Sequence, residues 1–394
     1  MLMSIAFILL FGLILGSIFN KIKLPSLLGM IIVGIVLSPY ALNLIDESIL
    51  NISADLRQIA LVIILTRAGL SLNLSNLKKA GRPAVLMCFV PACTEILGTI
   101  FLAPILLKIT YLEAAIAGSV IAAVSPAVIV PRMISLIEKG YGTNKSIPEL
   151  ILAGASVDDV FVIVLFTAFT SLASTGNISA MSFLQIPISI ILGVLTGMLL
   201  GIILVKFFQH FHMRDSVKLL IILSFSFLLI ELQNRLEGII SISGLLAIMS
   251  LGIVIKQKYE ILATRLSEKY NKLWIAAEIF LFVLVGATVD LRYALSAGIS
   301  AILLVLGTLL FRMFGVALSL IKTNFNRNER LFCMLAYMPK ATVQAAIGGI
   351  PLSMGLACGQ IVLTVAVLSI LITAPLGAIC VDNLYIKLLH TEKR

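Results

Sequence analysis

The sequence predicts an all-α polytopic membrane protein of about thirteen transmembrane helices, and three observations carry that reading. Of 394 residues, 60% are hydrophobic and only 12% are charged, against roughly 25% charged in an ordinary soluble domain. Apolar stretches of about 17 to 25 residues, each able to cross a hydrocarbon core of about 30 Å as a helix, recur along the chain. The short connections between them are alternately rich and poor in Lys and Arg, as expected of loops sorted to opposite faces of a bilayer.

Taken in order, the first stretch covers roughly 2–19. It lacks a basic leader and a small-residue cleavage site, so it reads as a retained span and not as a signal peptide. The second, about 24–40, follows Lys21 and Lys23; the third, about 56–72, follows the acidic Asp46, Glu47 and Asp55. After Lys78, Lys79 and Arg82 comes the fourth, about 83–107, with Glu95 inside it. The fifth, about 112–137, is punctuated by Ser125-Pro126 and Pro131, and the sixth, about 147–170, carries the adjacent pair Asp158 and Asp159. The seventh to ninth cover about 183–206, 217–233 and 238–256. Five basic residues, Lys256, Lys258, Arg265, Lys269 and Lys272, precede the tenth, about 273–289; the eleventh, about 296–321, contains Arg312. The twelfth, about 330–350, carries Pro339 and Lys340 and ends near Gly348-Gly349, and the thirteenth covers about 356–381.

Most of the 29 Lys and Arg lie in every second connection. The positive-inside rule puts those connections in the cytoplasm, the N-terminus outside and the C-terminus inside a cell (plasma or inner) membrane. One missed or invented helix would break the alternation. Thirteen spans divide into a first repeat of about 1–170, a linker helix of about 183–206 and a second repeat of about 217–381, all in one integral membrane domain. The two repeats would enter the bilayer in opposite senses, as in many secondary transporters. The formal charge of +10 sits in short loops, which points to anionic lipid headgroups and not to nucleic acid. Cys88, Cys93, Cys333, Cys358 and Cys380 fall in apolar stretches without C-x-x-C spacing and read as small buried residues.

Seven ionisable residues remain inside the spans: Arg67, Glu95, Asp158, Asp159, Glu278, Arg312 and Lys340. A charge at the bilayer centre costs about 2.5 to 3.5 kcal/mol on insertion scales, so each needs a partner or a water-filled cavity. With a rise of about 1.5 Å per residue, Asp158, Lys340 and Arg312 all lie about 15 Å deep and Glu95 about 18 Å, close to the midplane. Arg67 and Glu278 lie nearer the span ends. The fifth and twelfth stretches are interrupted by proline at that same depth. Each proline frees backbone groups that are tolerated in lipid only beside protein or water. Interruption at corresponding positions of two halves is a sequence pointer to a transporter binding site.

These residues carry a resemblance. AAVSPAVIVP (122–131), GASVDDVFVIVLF (154–166) and PKATVQAAIGG (339–349), supported by LTRAGLSLN (65–73) and VGATVDL (285–291), resemble the NHA-type sodium/proton antiporters of the cation-proton antiporter superfamily. The likeness runs in order over nearly the whole chain. It implies an NhaA-like antiporter fold of inverted repeats with two crossed broken helices, a homodimer, and an elevator-type motion of a core domain that gives alternating access. It also implies that Asp158 and Asp159 bind ion and proton, that Lys340 pairs with an aspartate, and that Glu95 and Arg312 form a salt bridge. The chain departs from many bacterial relatives in having Arg, not Lys, at 312.

Adjacent carboxylates about 6 Å apart repel by roughly 3 kcal/mol at an effective dielectric of 20. A sodium or lithium ion, or a proton, relieves that repulsion, and the two guests exclude one another. Asp159 is the expected principal ligand and Asp158 its partner. Ser125, Ser156 and the carbonyls freed at the break are candidates to replace the ion's hydration. No cofactor is expected beyond the transported cation and proton. A potassium/proton antiporter of the same superfamily is the nearest alternative. An intramembrane aspartyl protease is remote, because its two acids must face one peptide from two helices, whereas Asp158 and Asp159 are neighbours about 100° apart on one helix.

Overall fold

The described residues of the computed structural model are all but 73, 176–179, 237–241, 290 and 392–394; side chains are described at the others except 74–80, 156, 160, 174–175, 180–187 and 291–297. Among them the chain is helical from end to end. In order come α1 (Leu2–Lys21), α2 (Ser26–Leu37), α3 (Glu47–Asn51), α4 (Ser53–Ser71), α5 (Leu74–Met87), α6 (Val90–Leu107), α7 (Tyr111–Ile121), α8 (Pro126–Glu138) and α9 (Ile147–Thr175). There follow α10 (Ala180–His210), α11 (Asp215–Leu236), α12 (Gly244–Lys258), α13 (Glu260–Ala287), α14 (Leu291–Ser319), α15 (Arg327–Ala336), α16 (Thr342–Ile347), α17 (Ile350–Ser353) and α18 (Gly359–Leu388).

Eight stretches of the described residues are long and apolar enough to cross a membrane: Leu2–Lys21, Gly81–Leu107, Tyr111–Glu138, Ile147–Ala173, Ile188–His210, Glu260–Ala287, Gly298–Ser319 and Gly359–Leu388. That is fewer than the thirteen expected, although each of the thirteen stretches contains helix. Three have identifiable reasons for falling short. The second stretch forms only the 12 residues of α2, the ninth only the 15 of α12, and the twelfth is cut into α15, α16 and α17. Proline accounts for the last: Pro339 has no N–H to continue α15, and Pro351 opens α17 near its N-terminus.

Local chemistry sets where helices start. Thr110 accepts from the Glu113 backbone N–H while Glu113 reaches back to Thr110, a capping box that begins α7. Asn326 and Glu329 do the same for α15. Each box satisfies two donors that a helix start leaves open. Both open the first half of an interrupted helix: α7 stops at Ile121 and α8 resumes at Pro126, while α15 stops at Ala336 and α16 resumes at Thr342.

The chain divides into two compact units, each discontinuous in sequence. The first comprises Met1–Ala54, Leu74–Val162 and Leu281–Arg394. In it α14 packs along α6, α7 lies against α6 and α18, and α15 packs on α18. Around the interrupted helices the interior is apolar, with Val124, Ile129, Ile151, Ala155, Val316, Phe332 and Tyr337 all buried together. An arginine fork from Arg132 to Asp382, at 3.0 and 2.9 Å, ties α8 to α18. Lys145 donates to the buried Glu329 at 2.8 Å, joining the loop before α9 to the start of α15.

The second unit comprises Asp55–Asn73 and Ile163–Phe280. Its α10 and α12 meet almost backbone to backbone, because a Cβ on Gly193 or Gly197 would strike the Ser243 or Ala247 carbonyl. Gly69 of α4 and Gly252 of α12 face each other in the same way. Small residues at such crossings let membrane helices approach closely.

A similar crossing in the first unit supports a stability prediction. A Cβ on Gly34 would collide with the Val283 carbonyl and one on Gly286 with the Ile31 carbonyl, whereas one on Gly298 meets nothing within 4 Å. Gly34→Ala is therefore expected to destabilise by about 1 to 3 kcal/mol through overpacking. Gly298→Ala, in the interior of α14, should be neutral or stabilise by up to about 1 kcal/mol. Thermal unfolding of the purified protein in one detergent checks the difference; equal melting temperatures for the two variants would contradict it.

Candidate functional site

The interrupted helices bring backbone and charge together inside the first unit. Ser125 N–H donates to the Pro339 carbonyl at 2.8 Å, so the two breaks are hydrogen-bonded to one another. Around that junction α6 supplies Glu95, α9 supplies Asp158 and Asp159, α14 supplies Arg312, and the second break supplies Lys340. Glu95, Asp158 and Arg312 are 0% exposed and Lys340 is 1% exposed. Charges this deep persist only when paired and hydrogen-bonded.

Arg312 is the hub. Its Nη2 donates to Asp158 Oδ2 at 2.8 Å and its Nη1 to Glu95 Oε2 at 3.0 Å. Nη1 also donates to the Ala122 carbonyl, and Nε to the Tyr337 carbonyl at 2.7 Å. The guanidinium lies 5.4 Å from the centroid of the Tyr337 ring, within reach of a cation–π attraction. One side chain thus touches both breaks and two carboxylates, a task suited to the planar five-donor fork of arginine.

The expected pairing of Lys340 with an aspartate is corrected. Its ammonium sits on Glu95, at 2.6 Å from Oε1 and 2.5 Å from Oε2, while Asp158 is held by Arg312. The reason is geometric. The arginine fork spans two carboxylates at once, whereas the compact ammonium settles on the one carboxylate within its reach. The Glu95–Arg312 salt bridge is present. Lys340 is also fixed through its backbone, whose N–H donates to Thr373 Oγ1 at 2.9 Å.

The backbone groups released by the first break have specific partners. Val124 N–H donates to Asp158 Oδ2 at 2.8 Å. Gln344 Nε2 donates to the Ala123 carbonyl at 2.8 Å and to that of Ile121 at 3.4 Å. With Arg312 on Ala122, three consecutive carbonyls of the break are engaged by side-chain donors. Each of these carbonyls, expected as candidate cation ligands, accepts one side-chain hydrogen bond in this structure.

What is left over is oxygen. Among the described residues, the buried atoms Asp158 Oδ1, Asp159 Oδ1, Ser125 Oγ, Thr342 Oγ1 and Gln344 Oε1 have no hydrogen-bond partner. A buried polar atom without a protein partner calls for an explanation such as a bound water or ion. Three carboxylates (Glu95, Asp158 and Asp159) face two cations (Arg312 and Lys340), which leaves one negative charge on the cluster. Asp159 has no ion-pair partner among the described residues. The leftover set is all oxygen, the chemistry that suits hard cations. No group of three or more His, Cys, Asp and Glu side chains gathers as a polydentate metal centre among the described residues.

Of the residues singled out in the sequence, Glu95, Ser125, Asp158, Arg312 and Lys340 meet at this junction, with Asp159 the next residue on α9. The side chain of Ser156 lies outside the described residues. Arg67 and Glu278 belong to the second unit. Sequence reasoning missed Tyr337 and Thr373. Thr373 belongs to a Ser/Thr series on α18 with Ser369, to whose carbonyl its hydroxyl donates at 2.7 Å; polar residues recurring in an otherwise apolar helix were the available signal.

Comparison with known proteins agrees over the full length. A family model described as "Sodium/hydrogen exchanger, transmembrane" matches residues 5–384. Similar proteins include the sodium/hydrogen exchanger 9B2 of Homo sapiens, 33% identical over 404 residues and covering 95% of this chain and 73% of that protein. The sodium/hydrogen exchanger 9B1 of Homo sapiens is 33% identical over 381 residues, covering 93% and 73%. Among solved structures, the sodium proton antiporter MjNhaP1 from Methanocaldococcus jannaschii at pH 8 matches with a TM-score of 0.84 over 98% of this chain and 97% of that one. At 22% identity that likeness is one of fold.

Proposed function

This chain belongs to the sodium/hydrogen exchanger family, a family of transporters and not of enzymes, and from that premise we propose that it exchanges sodium or lithium for protons through the carboxylates of Asp158 and Asp159. The observation that carries the reading is the carboxylate of Asp159, uncompensated among the described residues, beside an otherwise balanced buried network. A bare negative charge is costly deep in a hydrocarbon layer. A proton or a monovalent cation removes that cost, and either one excludes the other.

Asp158 and Asp159 offer Oδ1 atoms that have no partner among the described residues, and the Ser125 hydroxyl supplies a neutral oxygen; Ser156 is proposed as a further one. Arg312, Glu95 and Lys340 neutralise each other and hold the frame around the guest. Moving the neutralised site past a hydrophobic barrier is cheap, while moving the empty one is not. Exchange follows, because the site changes sides only when it carries one guest or the other.

The thirteen helical stretches cross the membrane with the N-terminus outside, the α7/α8 and α15/α16 interruptions cross one another, and the halves form inverted repeats of a homodimer. Alternating access comes from an elevator-type displacement. Potassium is the less favoured cation, since the family and the relatives named above are described by sodium. Protease chemistry has little support, because Asp158 is bound up in an arginine fork and has its companion on the same helix.

Reconstituted liposomes test the proposal. Sodium or lithium added outside vesicles loaded with a pH-sensitive dye should raise the internal pH as protons leave, faster than potassium does and not at all without protein. No internal pH change under any of the three gradients would contradict it.

A further inference from the structure

We propose that Gln344 is a specificity-determining positioning residue, whose amide keeps the peptide group between Ala123 and Val124 turned so that the transported cation meets side-chain oxygens and not backbone carbonyls. This inference rests on the proposed exchange at Asp158 and Asp159.

A single peptide unit carries the argument. The N–H of Val124 donates to Asp158 Oδ2 at 2.8 Å, and the carbonyl of Ala123, on the other edge of the same rigid plane, accepts from Gln344 Nε2 at 2.8 Å. The N–H and C=O of a trans peptide point in opposite directions. Holding the carbonyl on Gln344 therefore aims the N–H at the aspartate. Turned over, the same unit would withdraw that donor and present its carbonyl to the acidic site.

Fastening the two breaks together does not require the glutamine. Ser125 N–H already bonds Pro339, and Arg312 already bonds both the Ala122 and Tyr337 carbonyls. What Gln344 adds is occupancy of the Ala123 and Ile121 carbonyls, from a side chain that is 0% exposed. It does so while its own Oε1 stays without a partner among the described residues. An apolar side chain of similar size would fill the space without leaving that acceptor buried, so the donors account for the amide.

The consequence concerns the size of the ion. Few oxygens of high field strength, such as carboxylates, favour small cations, and additional carbonyl dipoles shift preference toward larger ones. A site kept free of break carbonyls by Gln344 favours sodium and lithium over potassium. Releasing those carbonyls adds weaker-field oxygens and narrows that preference.

The test compares the reconstituted wild-type chain with Gln344→Met, which keeps the volume and removes the donors, and Gln344→Asn, which keeps an amide one methylene too short. The quantity read is kcat/KM for sodium, lithium and potassium. The sodium-to-potassium ratio should fall about tenfold in Gln344→Met, the size of effect of one hydrogen bond at the site, with Gln344→Asn between. A purely structural strut would lower all three cations together. Variants that exchange with the wild-type ratio overturn the inference alone, and failure of both to fold overturns it as well by making the amide a strut. A wild type that exchanges no cation removes the proposed function and this inference with it.

Discussion

Asp159→Asn is expected to abolish sodium- and lithium-driven proton movement in liposomes while the purified protein melts at or above the wild-type temperature. Both halves follow from the same fact. Among the described residues Asp159 has a buried Oδ1 without a partner and takes part in none of the ion pairs that bind the cluster together. Asparagine keeps the shape, removes the one unbalanced charge and breaks no ion pair, so folding loses nothing and gains relief from repulsion with Asp158. A neutral amide binds no proton in this range and attracts a cation weakly. Retained exchange in this variant would remove Asp159 from its proposed role.

Glu95→Gln should show the reverse pattern. The Glu95 carboxylate accepts from Lys340 at 2.6 and 2.5 Å and from Arg312 at 3.0 Å, all with both partners buried. Removing its charge leaves Arg312 with Asp158 as its bonded counter-charge and Lys340 with none among the described residues. Breaking one member of a buried ion pair typically costs about 3 to 5 kcal/mol, and here two pairs lose their acceptor charge. A large drop in melting temperature, or failure to recover a monodisperse protein, is expected. A Glu95→Gln variant as stable as the wild type would show that the network is not what holds α6, α14 and the second break together.

Much of the site is legible in the sequence, and the parts that are not have a physical pattern. Depth follows from counting residues along a helix, so Glu95, Asp158, Arg312 and Lys340 fall on one level by arithmetic on residue numbers. The interruptions are legible because Pro126 and Pro339 lack the N–H that a continuous helix needs. Pairing is not legible. Residue counting gives height but not azimuth, and whether Lys340 faces Glu95 or Asp158 depends on how four helices are rotated against each other. The partners of the freed carbonyls are hidden for the same reason, since Gln344 reaches Ala123 across the breaks and not along the chain.

Helix extent is also read imperfectly from hydropathy. The stretch placed at about 273–289 is the second half of α13, which begins at Glu260, because the polar turns Glu260 to Lys272 carry no hydropathy signal. The two compact units interleave along the chain, a property of tertiary contacts that a division into successive segments does not express.

The central claim is that cation and proton compete for one set of carboxylates, and sodium kinetics across pH test it most directly. In wild-type liposomes the apparent KM for sodium should rise as the pH falls while the rate at saturating sodium stays the same, and sodium binding to the purified protein should release protons, as linkage requires. A sodium KM independent of pH, with no proton released on binding, would contradict the account.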